Sequence, residues 1–235
     1  MPDEKQRLQS VAEKSLYTTF ANTMTIEYCY EIYKRFLKEG NVLELGPAEG
    51  LMTGQLAKKV QDITVVEGSE VFCKQLESKF PGIKVINSLF EDYKPSQKFS
   101  NILLGHVLEH VNEPVEILKL VKQWLERDGV VLAAVPNSRS LHRQASVIMG
   151  LQPSEDSMSE LDYHHGHRRI YNPESFRSDF IKAGFQVLNF GGYWLKPVSN
   201  SQLNTSWTKE MLLAFMKLSE RYPDIAAEIY VVASH

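Results

Sequence analysis

The sequence predicts an α/β fold with seven strands in a mostly parallel sheet and helices on both faces, and three observations carry that prediction. Short apolar runs alternate with longer amphipathic ones through the middle of the chain, the pattern of repeated βα units. Glycine, asparagine and proline punctuate the joints, where helices start and stop. The 235 residues, 43% hydrophobic and 23% charged, suffice for one large domain around a sizeable core.

Ahead of the first strand, Thr25 to Lys38 and the segment before it read as helical, forming an N-terminal cap. Asn41 to Gly46 (NVLELG) is the first strand, with a helix following over about Leu51 to Val60. Ile63 to Gly68 (ITVVEG) is the second, followed by a helix over about Glu70 to Phe80, and Ile83 to Leu89 is the third. Ser100 to Gly105 (SNILLG) is the fourth. Asn112 then caps a helix with Pro114 in its first turn, Leu118, Val121 and Leu125 at helical spacing, and Gly129 at its end. Val130 to Pro136 (VVLAAVP) is the fifth strand. From Asn137 to Ile170 the rhythm breaks into a long polar insertion holding Ser138, Arg139, His142, Arg143 and the run YHHGHRR at 163 to 169, and such insertions are usually functional or disordered. Asn172 and Pro173 start a helix that Gly184 ends, Phe185 to Phe190 (FQVLNF) is the sixth strand, a helix follows over about Lys209 to Glu220, and Ile225 to Ala233 closes the sheet.

A formal charge of −3 gives no broad attraction to polyanions, and no run of Lys or Arg supplies a local patch, so no nucleic-acid partner is expected. Cys29 and Cys73 form no C-x-x-C pair, which argues against a disulfide scaffold or a thiolate zinc site. The charged start MPDEKQRLQS and the lack of a bilayer-length apolar run lead to the expectation of a cytoplasmic protein with no membrane partner.

Two motifs carry chemistry. His106, Glu109 and His110 spell H-x-x-E-H, a zinc-peptidase spacing that works only on a continuous helix, where histidines four apart face one way. Here His106 follows directly on the fourth strand, and the next helix starts beyond His110. The five residues therefore belong to a loop at the carboxyl end of that strand, where open parallel sheets bind ligands, and no resident metal is expected. The second motif, ELGPAEG at 44 to 50, places Gly46 and Gly50 where the first strand turns into the first helix. Glu67 follows about 20 residues later, where an acid can accept from both hydroxyls of a ribose. Ala48 and Leu51 occupy the glycine positions that a G-x-G-x-x-G dinucleotide fingerprint would need.

Together these motifs resemble the class I S-adenosylmethionine-dependent methyltransferases, whose first motif is E/D-x-G-x-G-x-G, with Ala48 at the middle glycine here. Leu108 to Val111 (LEHV) is similar to the end of the fourth strand in the ubiquinone-pathway O-methyltransferases. The resemblance spans roughly residues 40 to 137 and implies a Rossmann-like sheet whose last strand is antiparallel. It also implies S-adenosyl-L-methionine as cofactor, S-adenosyl-L-homocysteine as product and transfer of methyl to a small-molecule acceptor.

On that reading Glu44 holds the methionine ammonium through water, Gly46, Ala48 and Gly50 floor the cofactor site, Glu67 binds the ribose, and Leu89 and Phe90 flank the adenine. Gly105 and His106 line the methionine end, and Tyr17 closes the pocket. The domain then divides into a helical cap (1–40), a cofactor-binding core (41–137), an acceptor-side insertion (138–171) and the C-terminal part of the sheet (172–235). In the insertion, His165 and His167 are candidate bases, since imidazole titrates near neutral pH, and Arg168 and Arg169 suit an anionic acceptor. His110 is a further candidate base, ion ligand or packing residue, and Tyr193, Trp194 and Lys196 wall the acceptor site. The expected reaction is methyl transfer to a hydroxyl of a sugar-like or anionic metabolite, phosphorylated or nucleotide-linked. Transfer to nitrogen and a non-catalytic S-adenosylmethionine-binding protein are the alternatives.

Overall fold

The apolar runs become β1 (Val42–Leu45), β2 (Ile63–Glu67), β3 (Lys84–Asn87), β4 (Phe99–Gly105), β5 (Leu125–Pro136), β6 (Gln186–Tyr193) and β7 (Glu228–Ser234) of a computed structural model that describes residues 4–13 and 19–235. They form one sheet in the order β3-β2-β1-β4-β5-β7-β6. The first five are mutually parallel, and β7 runs antiparallel between β5 and β6. The expected Rossmann-like fold is thus realised, including the antiparallel last strand. Every residue of β1 and β2 is buried, whereas the edge strand β3 is partly exposed, because helices cover both faces of the central strands.

Alternate residues of β1 feed two cores. Leu43 and Leu45 join Ile102, Leu104 and Val131 beneath α5 (Pro114–Trp124) and α8 (Pro173–Lys182). Val42 joins Val65, Leu103 and Leu132 on the other face, beneath α2 (Phe20–Tyr33) and α10 (Lys209–Ser219). On α5, Ile117, Leu118 and Val121 are fully buried, each contributing about 1.5–3 kcal/mol of transfer free energy.

Several boundaries differ from expectation. Glu113, not Asn112, holds the N-cap of α5, with Pro114 at the first helical position. Gly129 does not end that helix. The chain turns into β5 at Leu125, and Gly129 lies within the strand, where an added Cβ would sit 2.7 Å from Leu125 Cδ1 and 3.0 Å from the Phe99 carbonyl. The insertion carries α6 (Leu141–Ile148) and α7 (Glu160–His164). Asn172 caps α8 as expected, its side chain accepting from Glu174 and Ser175, and Gly184 follows the helix at φ +84. The short α9 (Asn200–Ser206) has no counterpart in the sequence reading. Both cysteines are buried and free. Among the described residues no helix is long and apolar enough to cross a membrane.

Candidate active site

β1 lies between β2 and β4, so successive crossovers leave it in opposite directions, and the carboxyl ends of β1 and β4 border a crevice. A cavity of about 340 Å³ opens there, its walls reaching from Glu44, Gly46 and Glu67 to His106, His167 and Lys196.

At one end β1 turns sharply into α3 (Leu51–Leu56), with Gly46 at φ +61, Ala48 at +48 and Gly50 at +81. A side chain on Gly46 would meet Val107 at 3.1 Å and Phe90 at 3.6 Å, so glycine keeps the cavity floor open. Gly50 does not line the cavity: its missing Cβ would meet Leu76 and Phe80 at 2.7 Å, so it serves the packing of α4 (Glu70–Lys79) instead. Glu44 is buried and accepts a hydrogen bond from Thr53 Oγ1 at 2.7 Å. Burial pushes its carboxyl up to about 7. Glu67 accepts from the Ser69 amide at 2.8 Å and the Ala48 amide at 3.3 Å, which ties the end of β2 to the β1 turn. Burial raises its carboxyl as well, against the pull of those amides. Leu89, Phe90 and Gly105 line the same cavity, and α1 (Glu4–Glu13) closes over it with Arg7, Leu8 and Val11. Tyr17 lies outside the described residues.

At the other end, residues 106–110 form turns and no helix, with His106 at φ +59, which removes the zinc-peptidase geometry. His106 is wedged among polar groups: its Nε2 lies 3.3 Å from the Tyr193 hydroxyl, and its Nδ1 lies 3.4 Å from Glu109 Oε1 and 3.8 Å from Glu228 Oε2. Burial opposes protonation of His106, but the Glu109 and Glu228 carboxylates outweigh it and raise its pKa. Glu109 is fully buried with neither oxygen hydrogen-bonded. Burial disfavours its ionised form, yet the surrounding imidazoles of His106, His110 and His167 hold its pKa below the ordinary range. His110 stacks edge-on against His167 with ring centroids 4.8 Å apart, and burial lowers it to about 4. Glu109, His110 and His167 each offer one ligand-type atom within 4.8 Å of the others, enough to hold a metal ion.

The insertion folds over this end and sorts its charges by role. His167 Nδ1 lies 3.3 Å from Asp162 Oδ1. Asp162 is itself fixed by Arg143 Nη2 at 2.7 Å, the Ser159 amide at 2.8 Å and Ser159 Oγ at 2.7 Å. Burial works against its charge, but these partners hold its carboxyl far below the ordinary carboxylate range. His165 also lines the cavity, pushed down to about 4 by burial and its neighbouring histidines.

Arg168 and Arg169, expected at the acceptor, are instead braces of the 106–112 loop. Arg168 Nε donates to the His110 carbonyl at 2.7 Å and pairs through Nη2 with Glu4 at 2.7 Å. Arg169 donates to the carbonyls of Leu108, Val111 and Asn112 at 2.9, 2.6 and 2.7 Å. Tyr193, also expected at the acceptor, is fully buried behind His106 and does not line the cavity. Trp194 and Lys196 do line it.

Asp162 as partner of His167, Arg143 as partner of Asp162, and Glu228 beside His106 were not assigned from sequence. Glu228 had a usable signal, since it is the one charge in the apolar run IAAEIYVVA.

A family model described as a methyltransferase domain matches residues 21–189. The ribosomal RNA small subunit methyltransferase A of Chlorobium chlorochromatii is 26% identical over 123 residues, 46% of this chain and 47% of its own. The chain therefore spans about half the length of that curated relative. An S-adenosylmethionine-dependent methyltransferase of Thermotoga maritima, described as a possible histamine N-methyltransferase, superposes with a TM-score of 0.63 at 16% identity over 98% of this chain and 94% of its own. The N-methyltransferase NodS of Bradyrhizobium japonicum, solved with S-adenosyl-L-homocysteine, gives 0.63 at 10% identity over 98% of both chains. The turn after β1, the acid ending β2 and the acid within β1 stand together at one end of the cavity, tied by internal hydrogen bonds. The chain belongs to the methyltransferase-domain family, with the Rossmann-like fold of the class I S-adenosylmethionine-dependent methyltransferases and S-adenosyl-L-methionine as its cofactor.

Proposed function

We propose that this chain transfers the methyl group of S-adenosyl-L-methionine to a hydroxyl of a small polar, sugar-like or anionic acceptor, acting as a single cytoplasmic methyltransferase domain with no nucleic-acid or membrane partner. Glu67 takes the ribose hydroxyls, Glu44 the methionine ammonium, and Gly46, Ala48, Leu89 and Phe90 the remaining nucleoside surfaces, while Gly105 and His106 bound the reacting end. The observation that carries the catalytic part is the Asp162–His167 pair at 3.3 Å, set at the far end of the same cavity. A base oriented by a buried carboxylate is the geometry of assisted proton removal.

The acceptor oxygen attacks in line, the C–O bond forms as the C–S bond breaks, and the electron pair leaves with sulfur. His167 receives the hydroxyl proton while the Asp162 carboxylate, 3.3 Å from its Nδ1, offsets the charge it gains. Positioning and exclusion of water supply most of the acceleration. His165 and His110 line the same wall, and the LEHV loop supports placement near the quinone-pathway O-methyltransferases. The test is an acceptor panel of sugars, nucleotide sugars, phosphorylated metabolites, phenols, amines and ribosomal RNA, read out by S-adenosyl-L-homocysteine formation and product mass. Methylated hydroxyl products support the reading. Methylated amines or RNA, or binding of S-adenosyl-L-methionine without turnover of any acceptor, would replace it.

A second reading follows from Glu109, His110 and His167, which would hold a divalent cation supplying Lewis-acid stabilisation of an acceptor oxygen. Equilibrium dialysis with Mn²⁺ checks it: stoichiometric binding abolished by Glu109→Gln supports it, and full turnover in excess chelator removes it.

A further inference from the structure

Arginines around the cavity end are engaged. Arg7 pairs with Glu4 and donates to the Gly166 carbonyl, and Arg143 pairs with Asp162 and donates to the Glu155 and Ser157 carbonyls. Lys196 is different. It lines the cavity, yet among the described residues no carboxylate lies within ion-pair distance of its ammonium and no side-chain hydrogen bond engages it. Its backbone is held firmly: the Trp194 carbonyl accepts from both the Lys196 amide at 3.0 Å and the Ala227 amide at 2.7 Å, tying this segment to the entrance of β7. The ammonium is therefore delivered to the wall by fixed main chain rather than by a wandering loop.

Two unpartnered polar atoms belong to residues of that wall. Trp194 lines the cavity and its Nε1 is buried without a partner, as is Nδ1 of the neighbouring cavity residue His142. Charged groups facing Lys196 are Glu228, Arg143 and Asp162. Asp162 is already claimed by Arg143 and Ser159, whereas Glu228 Oε2, 3.8 Å from His106 Nδ1, is buried without a hydrogen-bond partner. Burial and Arg143 together push the ammonium down to about 8, with Glu228 and Asp162 compensating only partly. Lys196 is only partly buried, and an ammonium on a cavity wall with no paired anion is open to an anionic ligand.

Resting on the methyltransferase reading above, we propose that Lys196, on the wall it shares with Trp194 and His142, is the charged anchor of an oxyanion subsite that seats a carboxylate or phosphate of the acceptor beside the methylated position. The anionic group is thus recognised from the β6–α9 segment and not by Arg168, engaged by the His110 carbonyl and the Glu4 carboxylate, or Arg169, engaged by three loop carbonyls. Bidentate arginine contacts are absent from this arrangement, so one ammonium and single N–H donors would select charge more than planar geometry.

The experiment first measures S-adenosyl-L-homocysteine binding by calorimetry. Failure there overturns the cofactor reading itself. The loaded protein is then melted in rising inorganic phosphate and, separately, sodium acetate, at constant ionic strength. The wild type should show a saturable rise in melting temperature with at least one oxyanion, and Lys196→Met should weaken that apparent affinity about ten-fold. Lys196→Arg should keep most of it, and Lys98→Met, on the exposed surface, should change nothing. Phosphate acting without acetate marks a phosphorylated acceptor, and the reverse marks a carboxylic acid. As a measurement needing no variant, phosphate or acetate should protect Lys196 from acetic anhydride in the loaded wild type, read by peptide mass spectrometry. Equal saturable shifts in wild type and Lys196→Met, no shift with either oxyanion, or unchanged Lys196 labelling would overturn the subsite while leaving the methyltransferase reading intact.

Discussion

Glu44 carries an unfavourable buried charge, and if it holds the methionine ammonium as proposed, replacing it with glutamine should pull stability and affinity in opposite directions. Its carboxyl moves from 4.5 to about 7 on folding, so the ionised form costs about 3 kcal/mol more in the fold than in the unfolded chain. The sign follows from linkage: a raised acid pKa gives a contribution that is fully present below pH 4.5 and is lost as pH rises through about 7. Wild-type stability without cofactor should therefore fall between pH 5 and pH 8 by an amount that Glu44→Gln does not share. The glutamine carbonyl can still accept from Thr53, so the hydrogen bond at 2.7 Å need not be lost. Urea denaturation at the two pH values measures the difference. At pH 8 the variant should gain up to about 3 kcal/mol over wild type, roughly 6 to 12 °C in melting temperature for a chain of this size, with little gain at pH 5. Calorimetry at pH 8 should show weaker S-adenosyl-L-methionine binding, because the methionine ammonium loses its counter-charge. An equal stability difference at both pH values would refute the assigned burial cost, and unchanged affinity would refute the ammonium contact.

Three further outcomes follow from the site. Asp162→Asn should lower kcat about 10- to 100-fold through misorientation of His167 and cost roughly 3–5 kcal/mol by stranding Arg143; turnover and melting read these separately, with S-adenosyl-L-homocysteine affinity nearly unchanged. Arg169→Ala removes donors from three carbonyls and should destabilise by about 1–3 kcal/mol, lowering turnover equally for neutral and anionic acceptors. Gly50→Ala combines φ +81 with contacts at 2.7 Å and should cost about 1–3 kcal/mol, measurable in denaturant, with cofactor affinity falling only as α3 shifts.

Local signals made the sheet readable. Each parallel strand is a short apolar run ended by a turn residue, and the Glu44 to Gly50 segment states its bend in its glycines. Where local rules compete, long-range pairing decides the outcome. Gly129 looked like a helix stop, but the chain had already entered β5 because Leu125 pairs with Phe99, a contact 26 residues away that no window detects. The arginines of YHHGHRR illustrate the limit for function. Their charge suggested an anionic ligand, but carbonyls of the 106–112 loop, nearly 60 residues earlier, take up the donors. Lys196 shows the converse, since only the fold reveals that a lysine in GGYWLKP lacks a partner. Nothing local to His106 announces that its imidazole sits between Glu109 and Glu228, which follows from β7 inserting next to β5.

Ala48, His106 and Trp194 are the three non-glycine residues at positive φ among those described, and all three line the cavity. A left-handed backbone costs an L-residue about 1–2 kcal/mol, and substitution by glycine would relieve it while erasing the side chain. These positions thus offer a filter for reading sibling sequences. Where 106 and 194 remain histidine and tryptophan against that backbone preference, the side chains themselves are under selection. Where they become glycine or asparagine, the backbone turn has been kept and the side chain given up.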